Sequence, residues 1–186
     1  MRVQIDTDCI VKASSQFWEQ MLAMTLEPSP FPEEFCVDAG HLLGSVSLAG
    51  VWTGRVEVRM AHSLAYEATA AMMMQPVETV TEADALDATR EIANMMAGSI
   101  KSMLPRPCSM TVPESAVETE CFCGRALTED SMVVAFRHTA GDLMVRVLEH
   151  DCQQQIDGPG AQQPMLGPAC SSEAEVANPI NRLDLK

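Results

Sequence analysis

The chain has 186 residues, with 26 acidic side chains against 12 Lys and Arg, for a net charge of −14. Such a balance leaves no electrostatic footprint for nucleic acid and no attraction to an anionic bilayer, so both are disfavoured as partners. No run approaches the ~20 apolar residues of a spanning helix, and Met1–Ile10 carries Asp6 and Asp8 instead of an apolar export core, so a cytoplasmic protein is expected.

In chain order, 13–25 reads as an amphipathic helix, with Phe17, Met21 and Met24 at i, i+4, i+7. Pro28, Pro30 and Pro32 end it in an extended loop. Segments 42–48 and 54–60 read as strands, since Val56, Val58 and Met60 alternate with Glu57 and Arg59. Gly50 and Gly54 bracket a turn, which makes the pair a hairpin. A second helix covers 62–74, with Leu64, Ala68 and Ala71 on one face and Pro76 behind it. Thr81 is a candidate N-cap for a third helix that runs to about Leu104, where Pro105 and Pro107 close it. Segments 108–112 and 117–123 are candidate strands around Pro113. The alternations Met132, Val134, Phe136 and Leu143, Val145, Val147 make a second hairpin across Thr139-Ala140-Gly141.

This order, one helix, a hairpin, two helices and a run of strands, lacks strict βαβ alternation. It predicts an α+β fold, a two-layer sandwich with helices on one face of a mostly antiparallel sheet. The domain is expected to occupy 1–150. Residues 151–186 hold no aromatic, seven Gly or Pro and five Gln, and are expected to be a flexible tail. The tail carries five acids and two bases, so −11 of the charge falls on the domain. Seven scattered cysteines without an export signal are expected to be reduced, mostly buried thiols. Fourteen methionines against eight aromatics predict a core of Met, Leu, Val and Ala.

The third helix has two different faces. Ala85, Ala88, Ile92, Met96, Ser99 and Met103 form one stripe, expected to be buried. Asp87, Glu91, Asn94 and Gly98, at i, i+4, i+7 and i+11, form a ridge on the opposite side. Polar residues on an outer helix face usually serve only solvation. Two features stand against that default. Asp87 and Glu91 are like charges at i, i+4, which oppose helix formation mildly. Gly98 inside a helix costs ~1 kcal/mol against Ala, which suits a place where another surface approaches closely.

The run Asp87-x3-Glu91-x2-Asn94, continued through Met95-Met96-Ala97-Gly98, resembles the signature helix of the CheC/CheX/FliY phosphatases. Pro113 resembles the proline that follows it there. The segments 42–50 and 54–58 resemble that family's glycine-punctuated strand pair. The Asn94–Pro113 gap, 18 residues, is a few shorter than the family's. Only one Glu-x2-Asn helix is present, because Leu22 and Ala23 stand where the first helix, with Glu19, would need an asparagine. A single motif resembles CheX members.

The resemblance implies an enzyme that hydrolyses the aspartyl phosphate of a CheY-like receiver domain. It assigns Asn94 to hold the attacking water, and Glu91 to pair with the receiver's lysine. Asp87 and Gly98 are assigned to the partner contact. The enzyme would need no cofactor of its own, because Mg²⁺ belongs to the receiver substrate. It would act as a homodimer joined at sheet edges. The alternative is a non-catalytic module of the same family that docks on a receiver, a chemoreceptor-modifying enzyme or a flagellar-switch component.

Other features carry less. Cys121-x-Cys123 and His150-x-Cys152 lack the spacing of a closed metal site, so no metal is expected. Met72-Met73-Met74 and Met95-Met96 read as packing or a sticky interface rather than a copper(I) site. The four histidines form no triad, and no glycine-rich loop is placed to cradle phosphate.

Overall fold

Asp6 opens the first helix by accepting the Asp8 backbone N–H at 3.1 Å. In the computed structural model, which describes residues 6–29, 36–37, 40–123 and 131–150, this helix α1 spans Thr7–Leu22. It begins earlier than the periodicity suggested, and of the expected apolar residues Phe17 and, just past the helix, Met24 are buried while Met21 is not. Ile10, Ser14, Phe17, Trp18 and Leu22 point inward, while Met21 is 61% exposed. Trp18 is fully buried and sets the phase of the helix at the expense of Met21.

The expected proline loop contains a short edge strand, β1 (Glu27–Ser29). After β2 (Cys36–Val37) come β3 (Leu42–Gly50) and β4 (Gly54–Met60). These pair antiparallel, from Leu42 against Met60 to Leu48 against Gly54, as the turn glycines predict. Helix α2 (His62–Met73) buries Leu64, Ala65, Ala68 and Thr69. Ala71, expected on that face, is exposed. A 3-10 turn at Val77–Thr79 leads to α3 (Glu82–Ser102).

The second half supplies strands. β5 (Cys108–Met110), β6 (Glu114–Val117) and β7 (Phe122–Cys123) stand where two longer strands were expected. β8 (Ser131–His138) and β9 (Gly141–Glu149) form the second predicted hairpin. Seven strands make one antiparallel sheet in the order β1-β8-β9-β4-β3, with β5 and β6 both pairing along the far side of β3. β2 and β7 form a separate two-stranded ribbon.

The three helices supply one layer over this sheet. Val46, Leu48, Val56, Val58, Val145 and Val147 meet Trp18, Leu64, Ile92 and Met96 in the main core. A smaller apolar cluster of Val37, Val133, Ala135 and Met144, with Phe122 against it, lies apart from that core. There the Arg59 guanidinium lies 4.1 Å from the Phe122 ring centroid and bonds Glu57 at 2.7 Å. The α+β two-layer sandwich expected from the element order is therefore the observed architecture. The proposed tail, 151–186, lies outside the described residues.

Among the described residues, three cysteines are free thiols but less buried than expected. Cys9 and Cys121 are free and exposed, and Cys108 is half-buried. Among the described residues, no helix is long and apolar enough to cross a membrane.

Candidate functional site

The motif ridge depends on how α3 is seated. Thr81 caps the helix in a reciprocal box: its hydroxyl accepts the Asp84 N–H at 3.2 Å, and the Asp84 carboxylate accepts the Thr81 N–H at 3.0 Å. The Thr81 hydroxyl also donates to that carboxylate at 2.6 Å. These bonds, the side-chain one foremost, hold the Asp84 carboxyl below its ordinary value. Lys101 in the last turn complements the other end of the helix dipole.

The buried side of α3 is built from small residues. Ala85, Ala88, Thr89, Ile92, Ala93, Met96, Ala97 and Ile100 are all buried. The predicted stripe is right through Met96, then drifts: Ile100 takes the inner position, Ser99 is half-buried and Met103 is 37% exposed. Gly44 on β3 lets the helix come close. A Cβ there would lie 2.6 Å from the Thr89 carbonyl oxygen and 2.8 Å from the Ala93 Cβ. The helix thus sits close on the sheet here, with only the Ala93 methyl and the short Thr89 side chain at the contact.

The opposite side carries the four expected residues. Asp87 and Glu91 are exposed, and Asn94 and Gly98 are half-exposed, so the structure brings them together as one ridge. Helical geometry puts Glu91 and Asn94 about 4.5 Å apart along the axis and within one 60° sector. A Cβ on Gly98 would meet nothing within 4 Å, so nothing in the described fold demands glycine there.

Two features of this face were not read from the sequence. Arg90 donates to the Asp87 carboxylate at 2.5 Å, an i, i+3 pair that offsets the repulsion between Asp87 and Glu91. The spacing of Asp87 and Arg90 was the available signal. Second, an open groove of about 380 Å³ runs beside the ridge, lined by Met72 and Met73 of α2, by Asp84, Asp87 and Glu91 of α3, and by Pro113. Pro113 therefore stands against the motif helix despite the short gap in sequence. Asn94 and Gly98 do not line this groove; they continue the ridge toward the C-terminus of α3.

Elsewhere, a larger open hollow of about 880 Å³ lies between the end of α1, α2 and the β8–β9 turn, with Glu67 and Arg137 among its lining residues. It contains none of the ridge residues. No group of three or more His, Cys, Asp or Glu is placed to hold a metal ion among the described residues.

The family model "Chemotaxis phosphatase CheX" matches residues 42–137, which span β3 to the end of β8 and include the whole ridge. Solved structures share the fold at low identity. The chemotaxis protein CheX from Vibrio vulnificus is 16% identical with a TM-score of 0.63, over 81% of this chain and 99% of that one. A CheC-like superfamily protein from Shewanella sp. PV-4 is 15% identical with a TM-score of 0.62, over 78% and 97%. The CheX–CheY–BeF3–Mg²⁺ complex from Borrelia burgdorferi is 14% identical with a TM-score of 0.59, over 81% and 100%. No curated protein sequence matches the chain.

Proposed function

Because the chain belongs to the CheX chemotaxis phosphatase family, we propose that it hydrolyses the aspartyl phosphate of a CheY-like receiver domain, with Asn94 and Glu91 as the working groups. The observation that carries this reading is their placement: a carboxamide and a carboxylate one turn apart on the outward ridge of a helix whose other side is buried. A CheX protein in complex with CheY, sharing this fold, is consistent with such a partner.

The chemistry asks little of the phosphatase. Phosphoryl transfer is accelerated mainly by positioning and charge stabilisation, and a water-orienting amide is a recurring part. A carboxamide has both an acceptor and donors. Asn94 would accept a hydrogen bond from the attacking water and hold its oxygen in line with the phosphorus. Glu91 would accept from a lysine of the receiver and fix the register of the two proteins through a charge-assisted bond. Asp87 and Gly98 extend the contact along the same ridge. The phosphoryl group and its Mg²⁺ arrive together with the receiver, as substrate. The protein would act in the cytoplasm, where its receivers reside, as a homodimer paired through its sheet edges.

The test is phosphate release from phosphorylated receivers. Asn94→Ala should abolish stimulated release without loss of folding, since the side chain lies off the buried stripe. Glu91→Ala should weaken receiver affinity. Equal hydrolysis by wild type and Asn94→Ala would overturn the reading.

A further inference from the structure

The groove beside the ridge has an unusual wall. Met73 is 48% exposed, and Met74, the next residue, is 93% exposed. Across the groove stands Pro113, and its neighbour Val112 is 83% exposed. Met72 and Met73 line one side of an acidic floor and Pro113 the other, with exposed Met74 and Val112 next to them in sequence, while most large hydrophobics among the described residues are buried.

Met74 is anomalous in a second way. It caps α2 in the left-handed region, at φ 51° and ψ 45°, donating its N–H to the Ala70 and Ala71 carbonyls. Glycine is the usual residue at such a cap, and a side chain there costs of order 1 kcal/mol. Neither the backbone nor the core asks for methionine at this position.

The floor is charged. Asp84, Asp87 and Glu91 face the groove with Arg90, so three carboxylates against one guanidinium leave it two charges negative. That charge selects among occupants. A second copy of this chain seated here across a two-fold axis would bring two negative floors together, which complementarity disfavours. A partner with a basic side chain set among apolar ones fits.

We propose that this groove is the docking surface for the receiver domain, with Met73 and Met74 on one side and Val112 on the other gripping its apolar rim, while a receiver lysine lies over the acidic floor. This deepens the phosphatase reading and rests on it. Methionine suits the role because its unbranched, polarisable side chain adapts to a partner's shape. Apolar anchors of this kind set affinity, and the water-holding step stays with Asn94.

The experiment separates the two. Phosphate release is followed against receiver concentration for the full chain, the double variant Met73→Ser/Met74→Ser, Val112→Ser and Asn94→Ala. Binding of a CheY-type receiver charged with beryllofluoride and Mg²⁺ is measured alongside. The methionine pair should raise KM and the dissociation constant at least tenfold while kcat stays within twofold. Val112→Ser should do the same more weakly, and Asn94→Ala should lower kcat with KM little changed. Wild-type KM and affinity in the methionine variant, with Asn94→Ala inactive, would overturn the docking surface and leave the phosphatase reading standing. A full chain that neither binds nor dephosphorylates any receiver would overturn both. Conversion of a dimer to a monomer by the methionine variant, seen by sedimentation, would assign the groove to a second copy and also overturn the proposal.

Discussion

Replacing Gly98 by alanine should stabilise the protein and weaken its action on the receiver. Gly98 lies four residues before the end of α3, inside a regular helix. The added Cβ would meet no atom within 4 Å, so the folded protein gains no clash. Alanine in a helix interior is favoured over glycine by about 1 kcal/mol, part of it from the reduced freedom of the unfolded chain. For a domain of this size that raises Tm by about 2–4 °C. On the ridge the same methyl would stand between α3 and a partner packed against Asn94. A tenfold rise in KM corresponds to about 1.4 kcal/mol, a modest cost for one methyl in a close contact. Thermal unfolding and a receiver titration read the two effects on one variant. A fall in Tm would refute the open surroundings of Gly98. A rise in Tm with unchanged KM would refute its place in the contact.

Two further variants probe how the ridge is held. Gly44→Ala should destabilise by about 1–3 kcal/mol through overpacking, because its Cβ would press on the Thr89 carbonyl and Ala93 and α3 would have to lift. Phosphate release should fall with it, and an unchanged Tm would count against the close seat. Thr81→Ala should cost about 1 kcal/mol at neutral pH through loss of the cap, measured by urea unfolding. The cap also has a pH signature. The Asp84 carboxyl is lowered in the folded state, so its contribution is fully present above the ordinary carboxylate value and is lost as pH falls through the lowered one. Thr81→Ala should therefore flatten the loss of stability below pH 4, and an unaltered acid limb would refute the coupling.

What could be read from the sequence had local causes. The two long hairpins announce themselves through period-2 alternation on both sides of a glycine turn, and β3–β4 and β8–β9 pair as that pattern requires. The N-terminus of α3 is legible for the same reason, since a cap is a contact between residues three apart. The ridge needed only helical period. The failures had tertiary causes. In α1 both Phe17 and Trp18 could have led the buried face, and packing against the sheet chose the phase that exposes Met21. β1 contains Pro28 and exists because β8 offers it an edge. β6 is a strand because β3 offers it pairing, although three of its four residues are exposed or nearly so. Cys9 and Cys121 followed the statistics of their residue type in the reading and their surroundings in the structure.

The groove was illegible for a related reason. Its walls come from the end of α2 and the segment after β5, about 40 residues apart, and only the folded sheet brings Met73 and Pro113 to the same helix. Yet its chemistry depends on what was legible. Catalysis by positioning demands that the water-holding group stay within about 0.5 Å of its productive place. The half-exposed Asn94 amide would meet that demand only if its helix is immobile. Alanines at 85, 88, 93 and 97 and the bare backbone of Gly44 bring α3 close to the sheet, where Gly44 meets only the Thr89 carbonyl and the short side chains of Thr89 and Ala93, and no long side chain is left to flex. The small residues that make the inner face look unremarkable as a hydrophobic stripe are thus the ones that hold Glu91 and Asn94 in place. The domain's acidity then has a local use. Asp84 and Glu91 keep the groove negative after Arg90 has taken Asp87, and on the proposed docking that residual charge would orient an incoming basic surface before the apolar rim meets it.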